Sequence, residues 1–344
     1  MAPEIGVGLV GYGLAGRVFH GMLVRNTPGL SVKAIVTRHP ERRRAAEADF
    51  PGAAVYDDYA RLLEDDSVSL VVLGTPHDTH VAMAVQAAER GRHVVVDKVM
   101  ALSAAEADRM IEAAERHRVL LSVFHNRRWD SDFLTIKRAL DQGWIGKPYV
   151  VESSVVGFRR PPEGQLPWRM QKKHGGGPFR DWGAHLVDQA VQLFGADPVA
   201  VRADFQYRWP GIDVETAATC DLLFANGVRY RVEVGHISMI KRPRWYVRGS
   251  RGSLVIWGLD PQEAALKEGR VIGGTEEAKM PASACELASE VPGAKLEIVP
   301  GDYTVFYRGV AEAIRTGGPP PVDPCGVRDA LRVMDRAIEG RWEA

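Results

Sequence analysis

The pattern of apolar and polar positions changes character near residue 125. Before it, short strand-like runs (Ile5–Val10, Ser31–Val36, Val68–Leu73, His93–Val96 and Val119–Phe124), the first and third of them apolar throughout or nearly so, alternate with stretches of helical period. A strand covered on both faces reads as an unbroken apolar run, as in a parallel sheet flanked by helices. Helical spacing follows the first run at Val18, Phe19, Met22 and Leu23, a second helix begins near Pro40, and a third covers Val81–Arg90. A fourth, from Ser103, gathers Ala107, Met110, Ile111 and Ala114 on one face. Strands alternating with helices predict an α/β fold over residues 1–125, a doubly wound Rossmann domain.

After Phe124 the rhythm is different. The periodicity predicts a helix over Ser131–Gln142, a strand over Tyr149–Val156, an irregular loop over Arg159–Gly177 and a helix over Phe179–Phe194. Strand-like runs follow at Val199–Tyr207, Thr216–Phe224, Val228–His236, Trp245–Gly249 and Ser253–Trp257, with Asn226-Gly227 as a hairpin turn. Helices over Thr304–Thr316 and Gly326–Ile338 close the chain. Residues 126–344 therefore read as an α+β domain with a large, mainly antiparallel open sheet, whose last helices pack back on the first domain.

A length of 344 residues agrees with two domains. Lys and Arg total 44, and so do Asp and Glu, so there is no electrostatic case for nucleic acid or an anionic membrane as partner. The three cysteines, Cys220, Cys285 and Cys325, are far apart and give neither a disulfide framework nor zinc spacing, which points to a reducing compartment. No stretch reads as a signal peptide or a membrane span, so the expected location is the cytoplasm.

The first apolar run leads into Gly11-Tyr12-Gly13-Leu14-Ala15-Gly16, and a helix follows. Strand, glycine turn and helix is the arrangement that holds a dinucleotide. The first glycine permits the turn, the second lets the pyrophosphate approach the backbone, and the third lets helix and strand pack closely. A second register, Gly6, Gly8 and Gly11, ends inside the apolar run with no helix start behind it. The plain alternative is a glycine-rich βα turn without a ligand. The second strand ends in Thr37 and Arg38, where an NAD site usually carries Asp or Glu. Thr and Arg can donate to a 2′-phosphate, so NADP(H) is the expected cofactor, with NAD(H) the second choice. Arg43 and Arg44 read as the solvated face of the next helix. Thr75, Pro76, His77 and His80 follow the buried run Val68–Leu73, at the carboxyl end of a strand, where open α/β sheets bind ligands. No third ligand lies near His77 and His80, so no metal is expected.

Asp97 and Lys98 stand where the fourth apolar run opens into the same cleft. Asp181 and His185 are four apart, on one face of a helix. A carboxylate beside an imidazole raises its basicity and fixes its orientation, as a general acid/base requires. The alternative is an ion pair on a helix surface. His125, Arg127, Trp129, Arg159, Arg160, Trp168 and Trp182 would suit a hydroxylated ring.

The glycine motif, the Asp97-Lys98 step and the Asp181-x-x-x-His185 helix, in this order over the whole chain, resemble the Gfo/Idh/MocA family of glucose–fructose oxidoreductases and inositol dehydrogenases. Arg127-Arg128-Trp129-Asp130 and Trp168-Arg169 are similar to its NADP-dependent scyllo-inositol dehydrogenase-like branch. The resemblance implies hydride transfer between nicotinamide and a secondary alcohol or carbonyl of a polyol, inositol or sugar derivative. Lys98 would stabilise the substrate oxygen, His185 would act as general acid/base, and Asp181 would orient both. Asp97, Lys98, Trp168 and Arg169 would add to the cofactor contacts, and Asn126, Arg128, Trp129 and Trp182 to the substrate contacts. A homodimer or homotetramer through the C-terminal sheet is also implied. A non-catalytic NADP(H)-binding sensor or regulator of the same fold is the alternative. Where the family reads Glu-Lys-Pro, often with a cis bond before the proline, this chain reads Asp97-Lys98-Val99. A cis bond costs about 2.5–4 kcal/mol before a non-proline residue, against about 0.5–1 kcal/mol before proline. A trans backbone at Lys98, with an altered aim of its side chain, is therefore expected.

Overall fold

The computed structural model describes residues 4–340, which fall into two compact units. The first holds the chain up to Asn126 together with Gln262–Gly273 and Tyr303–Arg328. The second holds Arg127–Pro261, Gly274–Asp302 and the chain from Asp329 on.

The first unit is built on six parallel strands, β1 (Ile5–Val10), β2 (Leu30–Val36), β3 (Ala54–Tyr56), β4 (Leu70–Leu73), β5 (His93–Asp97) and β6 (Leu121–Phe124), in the order β3-β2-β1-β4-β5-β6. The order reverses between β1 and β4, the switch point beside which doubly wound sheets bind nucleotides. β1 and β4 are buried along their whole length, as their unbroken apolar runs require. The connecting helices are α1 (Met22–Arg25), entered through a wide π-helical turn over Ala15–Gly21, α2 (Pro40–Asp49), α3 (Tyr59–Leu63), α4 (His80–Glu89) and α5 (Ala104–His117). Two later helices, α8 (Gln262–Lys267) and α9 (Thr304–Thr316), belong to this unit. α9 packs its aromatics around the end of β6. The Phe124 ring lies 5.1 Å from Phe306 and 4.5 Å from His20, and His20 Nδ1 is 2.7 Å from the Tyr307 hydroxyl.

The second unit is a seven-stranded sheet of β7 (Pro148–Val156), β8 (Ala200–Gln206), β9 (Ala217–Leu223), β10 (Arg229–Gly235), β11 (Trp245–Gly249), β12 (Gly252–Ile256) and β13 (Cys285–Ser289). The order is β13-β12-β11-β7-β10-β9-β8, antiparallel except between β7 and β10. Alternate residues, among them Val151, Ser153, Tyr230, Val232, Trp245 and Val247, are buried against α6 (Ser131–Asp141) and α7 (Ala184–Phe194). The other face carries charge. Arg242 bridges Glu152 and Glu233 at 2.8 Å each, Arg231 pairs with Asp221 at 2.8 Å, and Arg248 pairs with Glu152 at 3.2 Å. The last helix, α10, spans Pro324–Glu339. Two edge strands are absent from the sequence reading. β3 is three half-buried residues and β13 is largely exposed, so neither leaves a periodic apolar signal. Among the described residues no helix is long and apolar enough to cross a membrane.

Under the second sheet lies a buried polar network. Trp245 Nε1 donates to Asp132 at 2.9 Å, Arg244 pairs with Asp132 at 3.0 Å and donates to Gln189 at 2.7 Å, and Gln189 donates to the Arg127 carbonyl at 2.9 Å. Removing one partner of such a network leaves a desolvated polar group, at about 1–3 kcal/mol. Trp245→Phe should accordingly lower the unfolding free energy by an amount in that range, read as a lower urea midpoint at unchanged slope. A wild-type midpoint would contradict the role of the network.

Candidate active site

Each unit carries one half of the expected chemistry, and the first carries the glycine turn. Gly11 sits at φ +89°, and a Cβ there would lie 2.6 Å from the Gly74 carbonyl. A Cβ on Gly16 would fall inside the Gly11 carbonyl oxygen. A Cβ on Gly13 would meet nothing nearer than the Arg42 guanidinium, at 3.6 Å. The first and third glycines are thus consumed by the packing of the turn on itself, and the second faces open space. That is the cradle a pyrophosphate needs, so the residues present fit a dinucleotide. Leu14 is half-exposed at the turn, and Ala15 opens the π-helical turn behind it. Tyr12 is buried, and its hydroxyl donates to Asp49 at 2.8 Å, where Arg17 also binds at 2.6 Å. Its side chain anchors the turn to the end of α2, leaving only its backbone for a cofactor. Thr37 is buried at the end of β2, and the exposed Arg38 donates from Nε to the Asp57 carbonyl at 3.1 Å.

The loop after β4 is knit internally. Thr75 Oγ1 and Thr79 Oγ1 are 2.7 Å apart, and Thr79 Oγ1 donates to the Pro76 carbonyl at 2.7 Å. His77 is buried against His80, with ring centroids 5.7 Å apart. His80 is fully buried. Its Nδ1 lies 2.9 Å from the Val99 carbonyl oxygen and its Nε2 lies 3.0 Å from that of Thr75. Burial pushes its pKa down, against the pull of Asp97. Whichever nitrogen carries the proton donates to backbone, so the ring braces the β4 loop against the segment after Lys98. Lys98 itself is half-buried just past β5, and its N–H donates to Asp97 Oδ1 at 2.8 Å. The Lys98–Val99 peptide is cis, which corrects the trans backbone expected from the missing proline. The surroundings fix it at both ends, through the Asp97 carboxylate on the amide of Lys98 and His80 on the carbonyl of Val99. Asn126 is buried, and its Nδ2 has no hydrogen-bond partner among the described residues.

In the second unit the helix carrying Asp181 and His185 opens with a π-helical turn over Phe179–Gly183 and continues as α7. Wide turns of this kind concentrate at functional sites. His185 is buried, with the Trp182 ring 6.0 Å away, and Asp181 is half-buried with Arg169 Nε at 4.0 Å. Arg169 also lies over the Trp168 ring at 4.3 Å, and Arg127 over the Trp182 ring at 4.0 Å. Arg128, expected at the substrate, forms a bidentate pair with the buried Asp188, at 2.8 and 2.6 Å. Its guanidinium anchors α7, because a carboxylate at that depth requires a full partner. The half-buried Trp129 accepts the Asp302 N–H on its carbonyl at 3.0 Å.

Residues 5–125 match the oxidoreductase family with an NAD-binding Rossmann fold, and residues 133–255 match the GFO/IDH/MocA C-terminal domain. The chain belongs to the GFO/IDH/MocA oxidoreductase family. It is 35% identical to an uncharacterized oxidoreductase, YdgJ, of Escherichia coli (strain K12), over 98% of this chain and 97% of that protein. It is 32% identical to the scyllo-inositol 2-dehydrogenase (NADP(+)) IolW of Bacillus subtilis (strain 168), over 98% of this chain and 94% of that one. A crystal structure of the Bacillus subtilis oxidoreductase yvaA superposes with a TM-score of 0.87 at 31% identity, covering 98% of this chain and 97% of that one.

Two residues that lie beside these candidate groups escaped the sequence reading. Arg42 reaches over Gly13 from the first turn of α2. An arginine run at a helix start looks like a solvated face, and only the fold separates Arg42 from Arg43, which binds the Val55 carbonyl at 2.8 Å. His236, just beyond β10, lies within the field of Asp181. Burial pushes its pKa down, Asp181 acts in the opposite sense and Arg159 adds to the lowering. Nothing in the sequence near His236 marks it. The different surroundings of the glycines make a test. Gly13→Ala should keep the wild-type melting temperature and weaken NADPH binding at least about tenfold, whereas Gly16→Ala should lose stability as well. Fluorescence titration and thermal denaturation read the two effects, and equal behaviour of the variants would contradict the assignment.

Proposed function

We propose that this chain transfers a hydride between NADP(H) and a secondary alcohol or carbonyl of a polyol, inositol or sugar derivative. The observation that carries the reading is the buried His185 one turn after Asp181, in a chain whose glycine turn leaves Gly13 open to a pyrophosphate. When bound, the nicotinamide supplies or accepts the hydride. The protein contributes positioning and charge. Lys98 stabilises the substrate oxygen as negative charge develops on it, an electrostatic contribution made mainly in the transition state. His185 exchanges the proton with that oxygen, and Asp181 orients both the imidazole and the substrate. Asn126, Trp129 and Trp182 bind the hydroxylated ring, and the unpartnered Asn126 amide supports this role. Thr75, Pro76, His77, Asp97, Trp168 and Arg169 border the cofactor, and His80 holds the β4 loop in place for it.

The preference for NADP(H) over NAD(H) rests on Thr37, Arg38 and Arg42, with no carboxylate at the end of β2. The name of the relative IolW agrees with it. The open face of the second sheet, with its alternating Arg and Glu and with Tyr246 and Trp257 exposed, supports a homodimer or homotetramer formed through it.

Lys98→Ala and His185→Ala should each lower kcat by on the order of 10²–10⁴-fold in NADPH oxidation with an inosose or keto-sugar, while His185→Ala binds NADPH within a few-fold of wild type. Unchanged turnover in either variant would overturn the roles. Loss of a charged hydrogen bond costs about 1.5–3 kcal/mol, so the double variant Arg38→Ala/Arg42→Ala should raise the KM for NADP at least about tenfold and barely change that for NAD. An equal effect on both would overturn the preference.

A further inference from the structure

Glu215 is a carboxylate that the proposed chemistry does not use. It is buried, on the extended segment that leads into β9. The segment is fixed from both sides through Thr216, whose N–H donates to Gln206 at the end of β8 at 2.7 Å and whose carbonyl accepts the His236 N–H at 2.8 Å. From this rigid base Glu215 Oε1 accepts the Phe179 N–H at 2.8 Å, in the first turn of the helix that carries Asp181 and His185. Two residues earlier, Asp213 Oδ1 accepts the Lys172 N–H at 2.8 Å. The two carboxylates thus hold the flanks of Gly175-Gly176-Gly177. Gly177 has φ +106°, and a Cβ on it would fall inside the Glu215 carboxylate. Its own N–H donates to the Arg169 carbonyl at 2.9 Å, which folds the Trp168-Arg169 turn back onto the helix start.

We propose that Glu215 is a positioning residue, a strut from the sheet that sets the first turn of the catalytic helix and, through Gly177, the turn that places Arg169 beside Asp181. The proposal rests on the roles given above to Asp181 and His185. Burial pushes the Glu215 carboxyl up to about 7, while the Phe179 amide and Arg180 act in the opposite sense. Arg180 is the charge on the helix side, Asp213 is turned to the Lys172 amide on the loop side, and His236 stands on the strand paired beside Thr216. Because burial raises this carboxyl above its unfolded value, ionisation near pH 7 works against the buried arrangement, and the strut loosens as the pH rises.

The experiment compares wild type, Glu215→Gln and Glu215→Ala as full chains. One readout is the ring titration of His185 by NMR on histidine-labelled protein, and the other is trypsin cleavage at Lys172–Lys173. In Glu215→Ala the His185 signal should shift and cleavage should accelerate about tenfold. Glu215→Gln, which keeps the acceptor oxygen, should restore both to within about twofold of wild type at pH 6 and, relative to a peptide substrate that corrects for trypsin's own pH dependence, show no rise in cleavage between pH 6 and 8 where wild type shows one. A Glu215→Ala chain with wild-type His185 titration and wild-type cleavage overturns the strut, even if the enzyme turns over. Signals that follow Glu215 in a chain that oxidises no NADPH with any inosose or sugar overturn the proposed reaction and leave the strut standing.

Discussion

The close approach of two backbones at the glycine turn is the constraint on which the first unit depends. The Gly11 carbonyl occupies the place of a Cβ on Gly16, and the Gly74 carbonyl lies within 2.6 Å of the place of one on Gly11. This packing brings the end of β1, the start of its helix and the loop after β4 together at the switch point of the sheet. It leaves Gly13 facing outward, with Arg42 above it. The rest of the half-site is held by secondary anchors, Tyr12 and Arg17 on Asp49, and His80 between Thr75 and Val99. None of these anchors needs to touch a cofactor to matter for its binding, since each one limits where the turn and the Lys98 segment lie.

The second unit solves a different problem, which is to hold a helix with buried polar groups at a fixed depth. Asp188 and Gln189 on α7 would be costly alone. Arg128 takes the carboxylate with two hydrogen bonds, and Gln189 joins Arg244 to the Arg127 carbonyl. A buried ion pair adds little net stability against an apolar equivalent, but breaking it is expensive. Its effect here is directional. These bonds tie α7 down at Asp188 and Gln189, one turn after His185 and two after Asp181.

The parts of this chain that were legible in the sequence are those with local signals. The glycine turn, the apolar runs of β1 and β4, and the Asp181-to-His185 spacing all lie within a few residues and follow the period of their element. What was hidden depends on pairings far apart in the chain. Arg128 meets Asp188 across 60 residues, Trp245 meets Asp132 across 113, and Phe179 meets Glu215 across 36. The edge strands β3 and β13 escaped because three half-buried residues and an exposed pair partner impose no pattern. At Val99 the local preference predicts a trans bond, and the structure has a cis one.

Family membership establishes an NAD(P)-binding oxidoreductase, and the chain carries a glycine turn open at Gly13 and a helix that bears Asp181 and His185. The central claim is that these act together on a secondary carbonyl. The direct measurement is to incubate the protein with NADPH carrying deuterium at both C4 positions and a keto-inositol, and to follow the product by NMR. The account predicts one deuterium on the new carbinol carbon for each NADP formed. Tight NADPH binding with no deuterium transferred to any keto-inositol or keto-sugar would contradict it and favour a sensor that holds the cofactor without turning it over.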